Sequence, residues 1–287
     1  MTKIVALHSS QSHSGQWRFL AKALRTLRAG SESDSTNARP SLAGVAFPVP
    51  DFVAADLVGY GKGAPLTKPA AEFRLADELA MLQNAHQFAE NPFAAHTSCA
   101  PGGPEPVFLV GHSYGGAAAL RWALTYPEQV QGLVLYEPVS FHVLAKNTPA
   151  RQEIVDIARQ MDERSNAEAA AAFVDYWNQP GYFAKLPEAA RTMMIAQQTK
   201  VQADFHALID EPTALAEYAA IQCPVVLFHG VQSPLSSRTV AENLANTLPN
   251  CIHLDVDAGH MAPLVAADKI TPLLINALRS MQAIPEY

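Results

Sequence analysis

Short apolar runs alternate with longer amphipathic stretches along most of this chain. Lys3-Ile4-Val5-Ala6-Leu7-His8 reads as a strand that begins at once. An unbroken apolar run of this length, bounded by polar residues, is what a strand covered on both faces shows. Trp17, Leu20, Ala21, Leu24 and Leu27 then fall at helical spacing and predict a helix over 17–27. Ala29 to Pro40 is polar and aperiodic and reads as a mobile surface loop. A short strand is expected around Val45 to Phe52, and Gly59, Gly61 and Gly63 mark a turn. Phe73 to Ala89 reads as an amphipathic helix, and the Pro-rich stretch Asn91 to Pro106 as a loop.

The alternation continues with a strand at Pro106–Val110, a turn at Gly111–Gly115, a helix at Gly116–Tyr126 and a strand at Leu133–Tyr136. Phe141 to Ala220 differs: it is Ala-rich, has no strand-like run, and suggests short helices broken at Pro180-Gly181, Pro187 and Pro212. Pro224–Phe228 (strand), Ser236–Leu248 (helix), Ile252–Val256 (strand) and Ala262–Met281 (helix) complete the chain. Strand–helix alternation interrupted by one helical block predicts an α/β protein with a mostly parallel sheet flanked by helices. The expected domains are a core of residues 1–140 and 221–287 and a helical cap of residues 141–220.

Composition narrows the function classes. Of 287 residues, 20 are Lys or Arg and 27 are Asp or Glu, a formal net charge of −7. A net acidic chain is ill suited to a polyphosphate, so no nucleic-acid partner is expected. With 49% hydrophobic residues the chain can bury a large core, which excludes global disorder. Cys99, Cys223 and Cys251 are far apart with no metal-type spacing. No apolar run approaches the roughly 18–20 residues that span a bilayer, and the apolar run after Lys3 is too short for a signal peptide. The expectation is a cytoplasmic protein without a membrane partner, a monomer or homodimer.

The strongest chemical signal is Gly111-His112-Ser113-Tyr114-Gly115. It matches G-x-S-x-G between an expected strand and an expected helix, the context in which that pattern carries a nucleophile. The second signal is His260 in Ala258-Gly259-His260-Met261, after the last strand. A histidine there, at the carboxyl edge of a parallel sheet, can reach a serine on a neighbouring loop. His13, His86, His96, His112, His142, His206, His229 and His253 show no metal-ligand spacing, and no nucleotide-binding loop is present, so neither metal nor cofactor is expected.

Taken together, these stretches resemble the α/β-hydrolase superfamily, specifically its capped, esterase- and lipase-like serine hydrolases, over nearly the whole chain. Val107–Gly116 resembles the superfamily's nucleophile elbow, Asp56-Leu57-Val58-Gly59-Tyr60-Gly61 its D-x-x-G-x-G loop, and Asp257-Ala258-Gly259-His260 its histidine loop. The resemblance implies Ser113 as nucleophile, His260 as base, and backbone N–H groups of Ser10 and Tyr114 as the oxyanion hole.

Two departures stand out. The family's usual His-Gly after the first strand is here His8-Ser9-Ser10, which leaves a backbone donor at Ser10 but replaces the glycine. The family's usual acid loop is here His229-Gly230-Val231-Gln232-Ser233-Pro234, with Ser233 at the acid position. A hydroxyl cannot stabilise an imidazolium as a carboxylate does. Some relatives carry the acid at the end of the strand after the nucleophile helix, which here is Glu137; Asp255 and Asp257 are alternatives. The cap aromatics Phe141, Phe173, Tyr176, Trp177, Tyr182 and Phe183 are expected to form cap core or substrate wall. The expected function is hydrolysis of small esters or related acyl substrates through an acyl-enzyme. The alternatives are carbon–carbon bond hydrolysis of a diketone-like acid, with Arg121, Arg191 or Lys185 as carboxylate clamp, and a degenerate hydrolase that only binds a ligand.

Overall fold

The computed structural model describes residues 3–34, 51–84 and 106–282. Six strands form one sheet: β1 (Lys3–Leu7), β2 (Asp51–Ala55), β3 (Val107–His112), β4 (Val130–Tyr136), β5 (Val225–Gly230) and β6 (Cys251–Val256). Their order is β2-β1-β3-β4-β5-β6 and every pairing is parallel.

The continuous apolar runs have their explanation in this sheet. Side chains alternate between faces, and both faces are covered. Val5, Leu7, Leu109, Leu133, Leu135 and Leu227 enter one core, while Ile4, Ala6, Phe108, Val110, Val134 and Phe228 enter the other. Helix α1 (Arg18–Asp34) contributes Leu20 and Leu24 to the second core, closed by Ile270, Leu274 and Leu278. Helices α2 (Leu75–Asn84) and α3 (Tyr114–Thr125) pack on the first. The expected surface loop at 29–40 is corrected in its first part, because α1 continues to Asp34; residues 35–40 lie outside the described residues. So do most of the expected strand at 45–52, whose described strand is β2, most of the loop at 91–106, and His86, His96 and Cys99.

Between β4 and β5 the chain is helical: α4 (Pro149–Glu163), α5 (Asn166–Trp177), α6 (Tyr182–Lys185), α7 (Glu188–Ala196) and α8 (Gln198–Ile209). Local chemistry sets the ends. Thr148 accepts a bond from the Arg151 N–H before Pro149, and Ser165 with Glu168 forms a capping box. Pro180-Gly181 and Pro187 separate the helices where the sequence indicates breaks. Helix α9 (Leu235–Thr247) follows β5. The expected last helix is divided into α10 (Ala262–Val265) and α11 (Ala267–Ser280), with Ala266 between them outside helical geometry.

Candidate active site

The turn after β3 shows why G-x-S-x-G needs its glycines. Ser113 has φ 56° and ψ −122°, a strained conformation for a non-glycine residue. A Cβ on Gly111 would lie 2.6 Å from Gly116 Cα, and one on Gly115 would lie 2.3 Å from the Leu7 carbonyl oxygen. Both are closer than real side chains approach. Strand, turn and helix can therefore pass each other only with glycine at those positions. Ser113 N–H donates to the Tyr136 carbonyl at 3.1 Å, which anchors the turn to β4.

The structure brings the three sequence-derived side chains together. His260 Nε2 is 2.9 Å from Ser113 Oγ, and His260 Nδ1 is 2.5 Å from Glu137 Oε2. Glu137 directly follows β4 and is fully buried. Its Oε1 accepts the Gly230 N–H at 2.5 Å, and its Oε2 accepts the Ser237 hydroxyl at 2.8 Å. Burial alone would raise this carboxyl. The hydrogen bond and charge of His260, with Ser233 and the Gly230 N–H, outweigh burial and hold it below its ordinary value. Ser233 is thus buried beside the same carboxylate and favours its charged form, though its hydroxyl makes no hydrogen bond of normal geometry. Asp257 instead accepts from Gln232, and Asp255 lies beside His229.

Two other buried histidines brace the loops. His8 Nδ1 donates to the Ser9 carbonyl (2.7 Å) and its Nε2 accepts the Leu57 N–H (3.0 Å). Burial lowers its pKa to about 4, so it is neutral at pH 7 and uses both nitrogens structurally. His112 Nε2 donates to the His260 carbonyl at 2.9 Å, and its Nδ1 accepts from Gln16 Nε2 at 3.1 Å. Gln16 Oε1 in turn accepts both the N–H and the hydroxyl of Ser9. The serine that replaces the family's glycine therefore joins a chain, Ser9–Gln16–His112–His260, that ties the first loop to the histidine loop. No spacing along the chain marks this use.

Ser10 and Tyr114 flank Ser113. Tyr114 is the first residue of α3, so its N–H has no acceptor within the helix. Their side chains hydrogen-bond into one buried cluster. Ser10 Oγ and Tyr60 OH donate to Asp204 Oδ2 at 2.6 and 2.7 Å, and Tyr114 OH donates to Glu78 Oε2 at 3.0 Å. Lys200 bonds to both Asp204 and Glu78, and all three charged side chains are buried. Burial pulls Lys200 down, yet the Asp204 and Glu78 charges outweigh it and hold its ammonium above the ordinary value. For Asp204 burial dominates and its carboxyl is pushed up despite Lys200. Lys200→Met would leave two buried carboxylates facing each other without a cation. A loss of roughly 3–5 kcal/mol in unfolding free energy is expected from urea denaturation. A loss below about 1 kcal/mol would show that the cluster is not the closed ion group drawn here.

A cavity of about 150 Å³ opens at Ser113. Ser10 and Gln11 line one side; Phe173, Trp177 and Tyr182 from the helical insert line another. Trp177 stacks on the His260 ring, with centroids 3.8 Å apart and planes 26° apart. Sequence listed Trp177 among several cap aromatics without separating it from them. Phe183 falls on the cap-core side of that expectation: it is half-buried in the packing of the insert and is not among the residues that line the cavity. Arg121, one of the clamp candidates, pairs with Glu211 at 3.2 Å. Among the described residues no Arg or Lys lines the cavity.

The model of the alpha/beta hydrolase family matches residues 4–271. RutD of Pantoea ananatis, whose name provisionally makes it a carbamate hydrolase, is 26% identical over 237 residues, 79% of this chain and 78% of that protein. A pimeloyl-[acyl-carrier protein] methyl ester esterase of Chromobacterium violaceum is 25% identical over 171 residues, 58% of this chain and 67% of its own. Among solved structures, an enol-lactonase from Burkholderia xenovorans superimposes with a TM-score of 0.66 at 15% identity, covering 97% of this chain and 92% of that one. At that identity the likeness is one of fold.

Proposed function

The chain belongs to the alpha/beta hydrolase family, and we propose that it is a serine hydrolase of small esters or related acyl compounds. The observation that carries this reading is the unbroken relay Ser113–His260–Glu137 at an apolar cavity. The hydrolase relatives in carbamate and methyl ester chemistry support the same class of reaction.

In this reading each group has a step. Ser113 Oγ attacks the acyl carbonyl carbon while His260 Nε2 takes its proton. Glu137 accepts from Nδ1–H and stabilises the imidazolium. The Ser10 and Tyr114 N–H groups hold the oxyanion, and the N-terminus of α3 adds its dipole. Collapse expels the alcohol, which leaves with the proton from His260. A water molecule, deprotonated by His260, then attacks the acyl-enzyme, and the carboxylic acid departs with Ser113 restored. Trp177 lies flat on the ring that carries positive charge during each half-reaction, an arrangement that stabilises a cation by its π face. The insert acts as a cap over the acyl site. The apolar wall without Arg or Lys favours an ester over a diketone-like acid, which needs a carboxylate clamp.

The test pairs an active-serine fluorophosphonate probe with a panel of nitrophenyl esters of increasing chain length and a diketone acid. Label on Ser113 and turnover of short-chain esters are expected. Consumption of the diketone acid with no ester turnover would establish carbon–carbon hydrolysis instead. Ligand binding with neither label nor turnover would make the chain a binding module. Trp177→Ala enlarges the cavity beside the reacting carbonyl, so the chain-length optimum is expected to move towards longer acyl groups, whereas Phe183→Ala leaves it in place. An unchanged optimum in Trp177→Ala would place the acyl group elsewhere.

A further inference from the structure

Beyond the cavity, β5 and β6 carry a second cluster of chemistry-bearing side chains. Their register pairs Leu227 with His253 and His229 with Asp255. Because strand side chains alternate, His229, His253 and Asp255 all project from the same sheet face. His229 Nδ1 is 2.9 Å from His253 Nε2 and 3.4 Å from Asp255 Oδ1. One donor atom from each of the three residues lies within 4.8 Å of the others. None of them lines the cavity at Ser113.

We propose that His229, His253 and Asp255 form a binding site for a borderline-soft divalent cation of the zinc type, distinct from the hydrolytic centre. Two imidazoles and one carboxylate suit Zn²⁺, Co²⁺ or Ni²⁺, whereas Mg²⁺ and Ca²⁺ prefer all-oxygen sets. Tetrahedral zinc with bonds near 2.0–2.1 Å places its ligand atoms about 3.3 Å apart. Two of the three separations, 2.9 and 3.4 Å, bracket that value before any rearrangement, and the third is within 4.8 Å. On binding, the hydrogen bond between the imidazoles gives way, the donor ring moves its proton to its other nitrogen, and both rings offer a lone pair. His229 is nearly buried and Asp255 is 69% exposed, so the ion has a fixed inner wall and an open side for entry and for water as a further ligand.

The position gives the ion a consequence. His229 precedes Gly230, whose N–H holds Glu137, and β6 runs on into the loop that carries His260. An ion bridging His229 to His253 and Asp255 clips together the two strands that hold the acid and the base in place. Among the described residues β6 is also an edge strand, paired only with β5. The clip therefore ties this edge of the sheet to its neighbouring strand. The proposal does not depend on the serine mechanism.

The experiment uses the full chain without an affinity tag, treated with EDTA and titrated near neutral pH with Zn²⁺ by calorimetry and with Co²⁺ by visible absorption. One equivalent should bind with micromolar or tighter affinity, and Co²⁺ should show the intense bands of four-coordination. His253→Ala and Asp255→Ala should each weaken binding by about tenfold or more. Zinc should raise the Tm of the parent protein and not that of the double variant, whose ester hydrolysis stays unchanged. Any of these results overturns the proposal: no saturable zinc binding, equal affinity in the variants, or Mg²⁺ binding as tightly as Zn²⁺. Zinc inhibition of hydrolysis that persists in the double variant, with no other effect of the ion, would place the metal on His260 and also overturn it.

Discussion

Replacing Ser113 by Ala is expected to lower kcat by roughly 10³-fold or more while leaving the protein folded. The substitution removes only the side-chain oxygen beside His260. Alanine faces the same backbone strain at φ 56° that serine does, so the turn has no new reason to change. The clashes that shape the turn belong to Gly111 and Gly115, which are untouched. The Ser113 N–H still bonds to the Tyr136 carbonyl. Residual turnover would come from the oxyanion donors and the cavity. Initial rates on an ester from the panel, with a thermal melt of the same preparation, provide the check. A variant with a near-parental Tm and near-parental kcat would remove Ser113 from the mechanism.

Glu137→Gln is expected to cost on the order of 10²–10⁴ in kcat. The side chain keeps its shape and its oxygen can still accept the Gly230 N–H, but the remaining amide donates where Glu137 Oε2 accepted. That oxygen now takes bonds from both Ser237 and His260. An amide facing Nδ1 selects the tautomer with its proton on Nε2, which cannot act as base towards Ser113. The charge that stabilises the imidazolium is lost as well. Ser233→Asp in this background supplies a carboxylate from the neighbouring loop and should recover part of the loss. Near-parental kcat in Glu137→Gln would exclude it as the triad acid. Stability carries the same group in another form. A carboxyl held below its ordinary pKa stabilises the fold fully above that ordinary value and loses the contribution as pH falls through the lowered one. Parental protein should therefore lose more stability on acidification than Glu137→Gln does.

Some of this site was legible along the chain. The nucleophile turn is written in consecutive residues because its demands are local: two glycines for close backbone passage, a strand before and a helix after. His260 and Glu137 were reachable through the order of strands and loops and the family resemblance, since both follow the carboxyl ends of parallel strands, β6 and β4, on either side of β5. The helix breaks in the insert were legible for the same local reason, proline and glycine at Pro180-Gly181 and Pro187. The extent of α1 was not, because Ala29–Asp34 carries too few apolar residues to show a helical period.

Other features have no signature at any spacing. Trp177 on His260, the Ser9–Gln16–His112 chain and the His229–His253–Asp255 cluster join residues that are distant in sequence or separated by strand crossings. Lys200, Asp204 and Glu78 look in sequence like ordinary charges on helix surfaces, yet all are buried, with Asp204 bonded to Ser10 and Glu78 to Tyr114. Sequence alone determines the pattern of elements and the nucleophile turn, because steric and hydrogen-bonding demands between near neighbours act within one turn of backbone. Which buried charges meet, which aromatic covers His260 and which side chains meet across a strand pair are decided only when the parallel sheet sets its register and the insert packs on it. Those contacts depend on the closing of the whole core, and no local run of residues can encode them.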